Sequence, residues 1–379
     1  MNRCLPVPLM LALGAAAVLG AACDEKKPTS DAPSPDASAR VDKFAMADPK
    51  LAKALQAATS ADGGDNGPPP DGVFSPGAAD QRHPIGTPTK VDVVSDGSEP
   101  RLTLAPAADA AADAARTAAY GPALLEIGMQ LGPRTVMPTV DMKLALGPAK
   151  KDDGGPDWLV AEVKRALTAR EQPGQLPPGM DKEIGTLEGT QARVRWTADG
   201  RESEVRTQLG TGTKSELDRL ADTAAQAIVL ATVPLPSKPV GVGAQWIAES
   251  RMPWFGIDAV VYRAYRVKSI DGDRLRLSVD VSAYASGADT KFQGAPPGST
   301  MAQFGGVGHG EMDLIRGEAV VRKSDIQARA VVAFEAPGPA PSQGPPGQGP
   351  QPNILSGQFQ SSATFVRGDD MRATAATRQ

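Results

Sequence analysis

Cysteine is almost missing from this chain. The 379 residues include two, Cys4 and Cys23, so nothing downstream of residue 23 can form a disulfide or a thiolate metal site, and the fold must rest on its core alone. Histidine is equally scarce. His83 and His309 are the only two; each sits beside Pro or Gly in text that reads as loop. A metal site needs several convergent ligands, so both read as surface residues and no metal is expected. Aromatic residues make up 4%, the formal net charge is −4, and there is no run of Lys or Arg. That excludes the phosphate-neutralising stripe and the stacking platforms of nucleic-acid binding.

Catalytic signatures are missing as well. There is no Gly-x-Ser-x-Gly elbow, no His-Glu-x-x-His helix and no cysteine nucleophile with a histidine. The carboxylates fall mostly in turns or on outward strand positions, where solvated charge is the ordinary case. The segment from Gly210 to Ser215 lacks the glycine spacing of a phosphate-binding loop, because Thr213 precedes Lys214. It reads as a turn into a helix. Gly305 to Gly310 is glycine-rich without the βαβ context of a dinucleotide site. The chain therefore reads as non-enzymatic, with no catalytic residue and no cofactor.

The one long apolar run, 9–19, is too short to cross a bilayer as a helix and reads as an export signal with Arg3 as its only charge. It ends in Leu19-Gly20-Ala21-Ala22-Cys23, which resembles the lipobox of bacterial lipoproteins, with Gly20 standing where a branched apolar residue is usual. The resemblance implies cleavage before Cys23, a lipid on that cysteine, and a protein held in the bacterial cell envelope by its N-terminal lipid. Ordinary secretory cleavage after Ala22 is the alternative. Inner and outer membrane stay open.

Residues 23–90 are rich in Pro, Ala, Gly, Ser and Asp and read as a disordered tether, with a short helix at 49–59. Residues 107–119 are alanine-rich enough to be helical. From 91 to 212 a first antiparallel β block is expected. Leu125, Ile127, Met129 and Leu131 share one face of a strand, Val140, Met142, Leu144 and Leu146 one face of the next, and 191–209 form a hairpin about Asp199-Gly200. Residues 158–171 permit strand or helix, and strand is preferred.

An amphipathic helix connects the blocks over 213–233, with Thr213 and Glu216 as a capping box and an apolar stripe of Leu217, Leu220, Ala221, Ala224, Ile228 and Ala231. A second antiparallel β block spans 234–368. Its best strand alternates Leu275, Leu277, Val279, Val281 and Ala283 with polar neighbours; 326–334 and 359–365 repeat the pattern, and 337–353 reads as a disordered insertion. A tail follows at 369–379. The fold class is mainly β (α+β): two curved antiparallel blocks of similar rhythm, joined by the helix.

Pro239-Val240-Gly241-Val242-Gly243-Ala244-Gln245-Trp246 is similar to a segment of uncharacterised bacterial lipoproteins in which Pro-Val-x-Val-Gly-x-x-Trp opens a β block after a helix. That likeness implies the class and no activity. Curved sheets closed by a helix also resemble half-barrel lipid carriers in shape. This implies a binding module for an apolar ligand, with Phe292, Met301 and Phe304 in the loop 288–308 and Trp246 and Trp254 as ligand-facing residues. The same residues suit a packed core. The alternative function is a structural or assembly factor that docks an envelope protein partner.

Overall fold

The computed structural model describes residues 69, 71–105, 120–132, 135–149, 158–169, 178–197, 199–214, 217–289, 292, 295–336, 353–368 and 370–371. In chain order these form α1 (Ala78–Arg82), β1 (Lys90–Ser95), β2 (Gly121–Leu131), β3 (Val136–Pro148), β4 (Trp158–Thr168), α2 (Met180–Gly185), β5 (Gln191–Trp196), β6 (Glu202–Gln208), α3 (Asp218–Leu230), β7 (Gln245–Trp254), β8 (Ile257–Asp271), β9 (Arg274–Ala285), β10 (Thr300–Ile315), β11 (Lys323–Ala336) and β12 (Asn353–Arg367). The helices proposed at 49–59 and 107–119, the export signal, Cys23 and nearly all of the 337–353 insertion lie outside the described residues.

The expected two blocks are one continuous open sheet of 12 strands in the order β1-β7-β8-β9-β10-β11-β12-β2-β3-β4-β5-β6. Pairing of β12 with β2, from Phe359↔Leu131 to Arg367↔Ala123, welds the halves. The alternation read from the sequence sets the inner face. Ala123, Leu125, Ile127 and Met129 are buried on β2, as are Val140, Met142, Leu144 and Leu146 on β3 and Leu275, Leu277, Val279, Val281 and Ala283 on β9. Residues 158–168 are strand, paired to both β3 and β5.

The sheet curls until its two ends meet. Thr89, just before β1, donates its backbone N–H to the carbonyl of Glu202 on β6 at 2.9 Å. Helix α3 runs inside the curl, touching β2, β5, β6, β7 and β12. Ten of its 13 residues are buried, including Thr223 and Gln226, so the stripe expected on one face extends almost around the cylinder. A helix wrapped by a sheet needs apolar cover on every side, and the small side chains of Ala221, Ala224, Ala225 and Ala227 let the strands approach. Thr213 does not cap the helix, and Glu216 lies outside the described residues. The Thr213 hydroxyl donates to the Thr186 carbonyl at 2.7 Å, and Leu217 takes the cap position with no side-chain bond.

The tether boundary at residue 90 is a second correction. Residues 71–89 form an arm on the outside of the sheet, where Phe74, Ala79 and the outward residues Ile247, Val260, Tyr262 and Ala264 make a second small core. This explains why β8 is apolar on both faces from Ala259 to Tyr262, since Ala259 and Val261 join the main core and Val260 and Tyr262 lie beneath the arm. His83 is therefore no surface residue. It is 1% exposed, with Nε2 3.1 Å from the Thr87 carbonyl oxygen and Nδ1 3.7 Å from Glu249 Oε1. His309 is on β10, paired with Gln327 and Asp280, instead of in a loop.

The arm begins as a wedge between β9 and β10. Gly72 accepts from Ala285 N–H at 2.9 Å, and Asp71 accepts from Phe304 N–H at 2.9 Å. Gly72 has a φ of +75°, and a Cβ there would stand 1.7 Å from the Phe304 carbonyl oxygen. Backbone cannot yield that distance. Gly72→Ala is therefore expected to release the arm and raise protease cleavage within 71–89 by an order of magnitude or more, roughly the effect of losing ~2 kcal/mol of local stability. Unchanged cleavage kinetics would contradict this packing.

Candidate functional site

The strands define two ends of the curl. At one, β2, β4, β6, β7, β9 and β11 finish, the odd-numbered strands from β3 to β5 and the strands β8, β10 and β12 begin, and α3 starts. The other end is closed by the chain leaving α3. Val233 N–H bonds the Ala319 carbonyl there, and Val321 N–H bonds that of Ala231.

An aromatic nest fills the first end. Phe292, from the connection between β9 and β10, stacks on Phe334 of β11 at 5.5 Å and meets Phe359 of β12 edge-on at 5.3 Å. Phe359 stacks on Phe255 at 6.1 Å, which meets Trp254 edge-on at 6.0 Å. Such ring pairs contribute about 0.5–1.5 kcal/mol each beyond area burial. The Arg219 guanidinium of α3 lies 5.1 Å from the Phe292 ring centre and 5.9 Å from that of Phe359. Burial there lowers its pKa from the ordinary arginine value.

Two local features hold the nest. Phe255 sits in the tight β7–β8 turn with a φ of +51°, a region that costs a non-glycine residue about 1–2 kcal/mol. Its N–H is fixed by the Gln226 side chain of α3 at 3.0 Å, and its ring is turned inward, 8% exposed. The glycine-rich run of β10 supplies the second. The Trp254 indole crosses the inner face and lies over Gly306 and Gly308, where a Cβ would stand 2.7 Å from Nε1 and 3.4 Å from Cη2, respectively. Its N–H reaches the Arg329 carbonyl at 3.3 Å. The glycines are a notch cut for an indole.

Of the residues proposed from sequence, Phe292, Met301 and Trp254 gather at this end; Met301 is the cross-strand neighbour of Phe334. Met301 and Phe304 stand on β10, which begins at Thr300, so the expected loop 288–308 ends nine residues early. Phe304 is buried on the same strand. Trp246 belongs elsewhere. It is fully buried at the opposite end, bonded to the Pro234 carbonyl at 3.0 Å and stacked on Tyr265 at 5.3 Å. Phe334 and Phe359 are legible in the sequence only as inward residues of alternating strands, and Phe255 and Arg219 are not among the residues it proposes; a Phe in a two-residue turn before Gly256 is the available signal for Phe255.

Beside Arg219, Asp222 faces Thr207 of β6. Burial raises its pKa above the ordinary aspartate range, a bond from the Thr207 hydroxyl opposes that, and Asp218 adds to the rise. A carboxyl with a raised folded-state pKa favours the fold below its unfolded value and loses that contribution as pH rises through the folded value. Asp222→Asn is therefore expected to stabilise the protein at pH 7 by about 0.5 kcal/mol or less, with no gain once pH falls below the ordinary aspartate range. Thermal midpoints at the two pH values check this, and a destabilised variant at pH 7 would contradict it.

Among the described residues no group of three or more His, Cys, Asp or Glu could hold a metal ion, and no helix is long and apolar enough to cross a membrane. No family model matches the chain, and no curated protein matches it. Among solved structures, a chain from "Lipid-protein interactions in lipovitellin" aligns with 65% of this chain at 9% identity and a TM-score of 0.36. The match spans 25% of that chain's length. At that score the likeness carries no argument about ligand.

Proposed function

We propose that this is a cell-envelope lipoprotein, held to its membrane by a lipid on Cys23, whose aromatic nest binds an apolar ligand. The observation that carries the reading is Phe292. A connecting segment brings an aromatic ring, only partly buried, onto Phe334 and Phe359 at the end of a sheet already filled by a helix. A ring delivered from a connection can leave at less cost than one on a strand, because fewer ladder hydrogen bonds fix it. An apolar ligand would take its place against Phe334, Phe359 and Phe255.

The test uses the full chain carrying Cys23→Ser, expressed for export and purified without detergent, with mass spectrometry of its organic extract. A stoichiometric apolar species is expected, retained in Phe292→Ala, where no ring has to be displaced, and reduced about tenfold in Phe359→Ala, the loss of roughly 1.4 kcal/mol of ring contact. A clean extract together with no uptake of a fluorescent fatty acid would overturn the reading.

A further inference from the structure

Of the nine large apolar side chains left exposed among the described residues, six lie at or just below one end; the others are Ile85 of the arm and Val94 and Val242 at the far end. Val136 begins β3 and is 73% exposed, Leu167 is one residue from the end of β4, Leu209 follows β6, and Ile354 and Leu355 open β12 at 59% and 40%. All five lie at the end that holds the aromatic nest. Val331, 43% exposed, stands just below them on β11, opposite Gln358. Ion pairs stand at both ends: Arg276 with Asp313 at 3.6 Å, Arg316 with Asp273 at 4.0 Å and Arg322 with Asp370 at 3.3 Å at the far end, and Arg251 with Asp258 at 2.7 Å and Lys214 with Glu183 at the aromatic end. The difference lies in the exposed apolar residues, which gather at the aromatic end with these charges between them. Single exposed apolar residues need no explanation, but a ring of them around one end does.

We infer that this rim docks on a phospholipid bilayer, seating the aromatic nest at the membrane surface. The chain outside the structure argues for that occupant. Everything upstream, Cys23 included, joins the fold at the arm, and Asp71 bonds Phe304 at 2.9 Å. Phe304 pairs with Val332, which pairs with Gly357, two residues from Leu355. The segment through which a lipid on Cys23 would hold the fold thus enters at the rim. Apolar side chains at the end of a scaffold enter the headgroup and acyl boundary, where their burial supplies the attraction. This inference rests on the proposed apolar-ligand reading for its purpose, since exchange with a bilayer then needs no passage through water.

The experiment is co-sedimentation of the full chain carrying Cys23→Ser, so that no acyl group contributes, with phosphatidylcholine vesicles. The pair Val136→Asp and Ile354→Asp is expected to reduce vesicle binding about tenfold or more, because two apolar side chains leave the interface and two charges enter it. Val94→Asp with Val242→Asp, 40% and 43% exposed at the far end, is expected to bind as the parent does, and far-ultraviolet circular dichroism reads the fold of each. No vesicle binding by the parent, or equal loss in the two pairs, would overturn the inference. So would self-association without vesicles that the rim pair abolishes, which assigns the rim to a second copy of the chain. The organic extract separates the two readings: a retained ligand without vesicle binding sinks this inference alone, and vesicle binding with a clean extract sinks the ligand reading.

Discussion

Glu202→Ala is expected to cost about 3–5 kcal/mol of stability, because it leaves the Arg263 guanidinium buried without its counter-charge. Glu202 of β6 and Arg263 of β8 are 2% and 0% exposed and form an ion pair inside the curl. Burial opposes the charge on Arg263, but the Glu202 carboxylate and Tyr265 beside it together outweigh that and hold its pKa above the ordinary value. Ser250 of β7 adds a contact to Arg263 Nη2 at 3.4 Å. The pair spans the place where the ends of the open sheet meet, next to the Thr89–Glu202 backbone bond. No ladder joins β6 to β7 there. A urea midpoint that falls with an unchanged slope is the expected readout. Replacing both partners, Glu202→Leu with Arg263→Met, is expected to recover most of the loss, since a packed apolar pair avoids the desolvation cost. A single variant within about 1 kcal/mol of the parent would mean that water reaches the pair and the ends are held elsewhere.

Gly306→Val is expected to cost about 3 kcal/mol, from overpacking and from the loss of Trp254 packing. The new Cβ would stand 2.7 Å from Ala283 Cβ and 2.7 Å from Trp254 Nε1. The indole cannot slide away cheaply, because its N–H is committed to the Arg329 carbonyl and its far side meets Phe255. Gly305→Val is the control. Its Cβ would meet nothing within 4 Å, so a change under about 0.5 kcal/mol is expected. Denaturation measures both, and a red shift of tryptophan emission in the Gly306 variant alone would report the displaced indole. Equal effects at the two positions would mean that strand propensity governs this segment and the notch does not.

These two sites show where reading the chain stops. Glycine repeats and a lone Trp carry no mutual signal, since 52 residues separate Trp254 from Gly306 and only the curvature of three intervening strand pairings brings them together. Glu202 and Arg263 likewise look like two outward charges on alternating strands. One local cue to the surroundings existed: β8 does not alternate between Ala259 and Tyr262, which demands cover on both faces. That cue predicts something like the arm, whose Pro- and Gly-rich composition otherwise suggests a chain with nothing to bury.

Periodicity along the chain was enough to tell which residues face inward along β2, β3, β9, β11 and β12, and that a helix lies within 213–233, observed as Asp218–Leu230, because side-chain periodicity is a local property that follows directly from strand and helix geometry. The sequence also placed a turn at Asp199-Gly200, where the backbone needs Gly200 at φ +78°. Tertiary structure alone decided the rest. Which strand ends meet, that β12 joins β2, that β1 crosses to β7, that the helix sits inside, and which aromatic rings share one end all depend on pairings between segments up to 244 residues apart. Backbone hydrogen bonds, the same at every residue, carry no label for such partners. The choice among them comes from burying one common core.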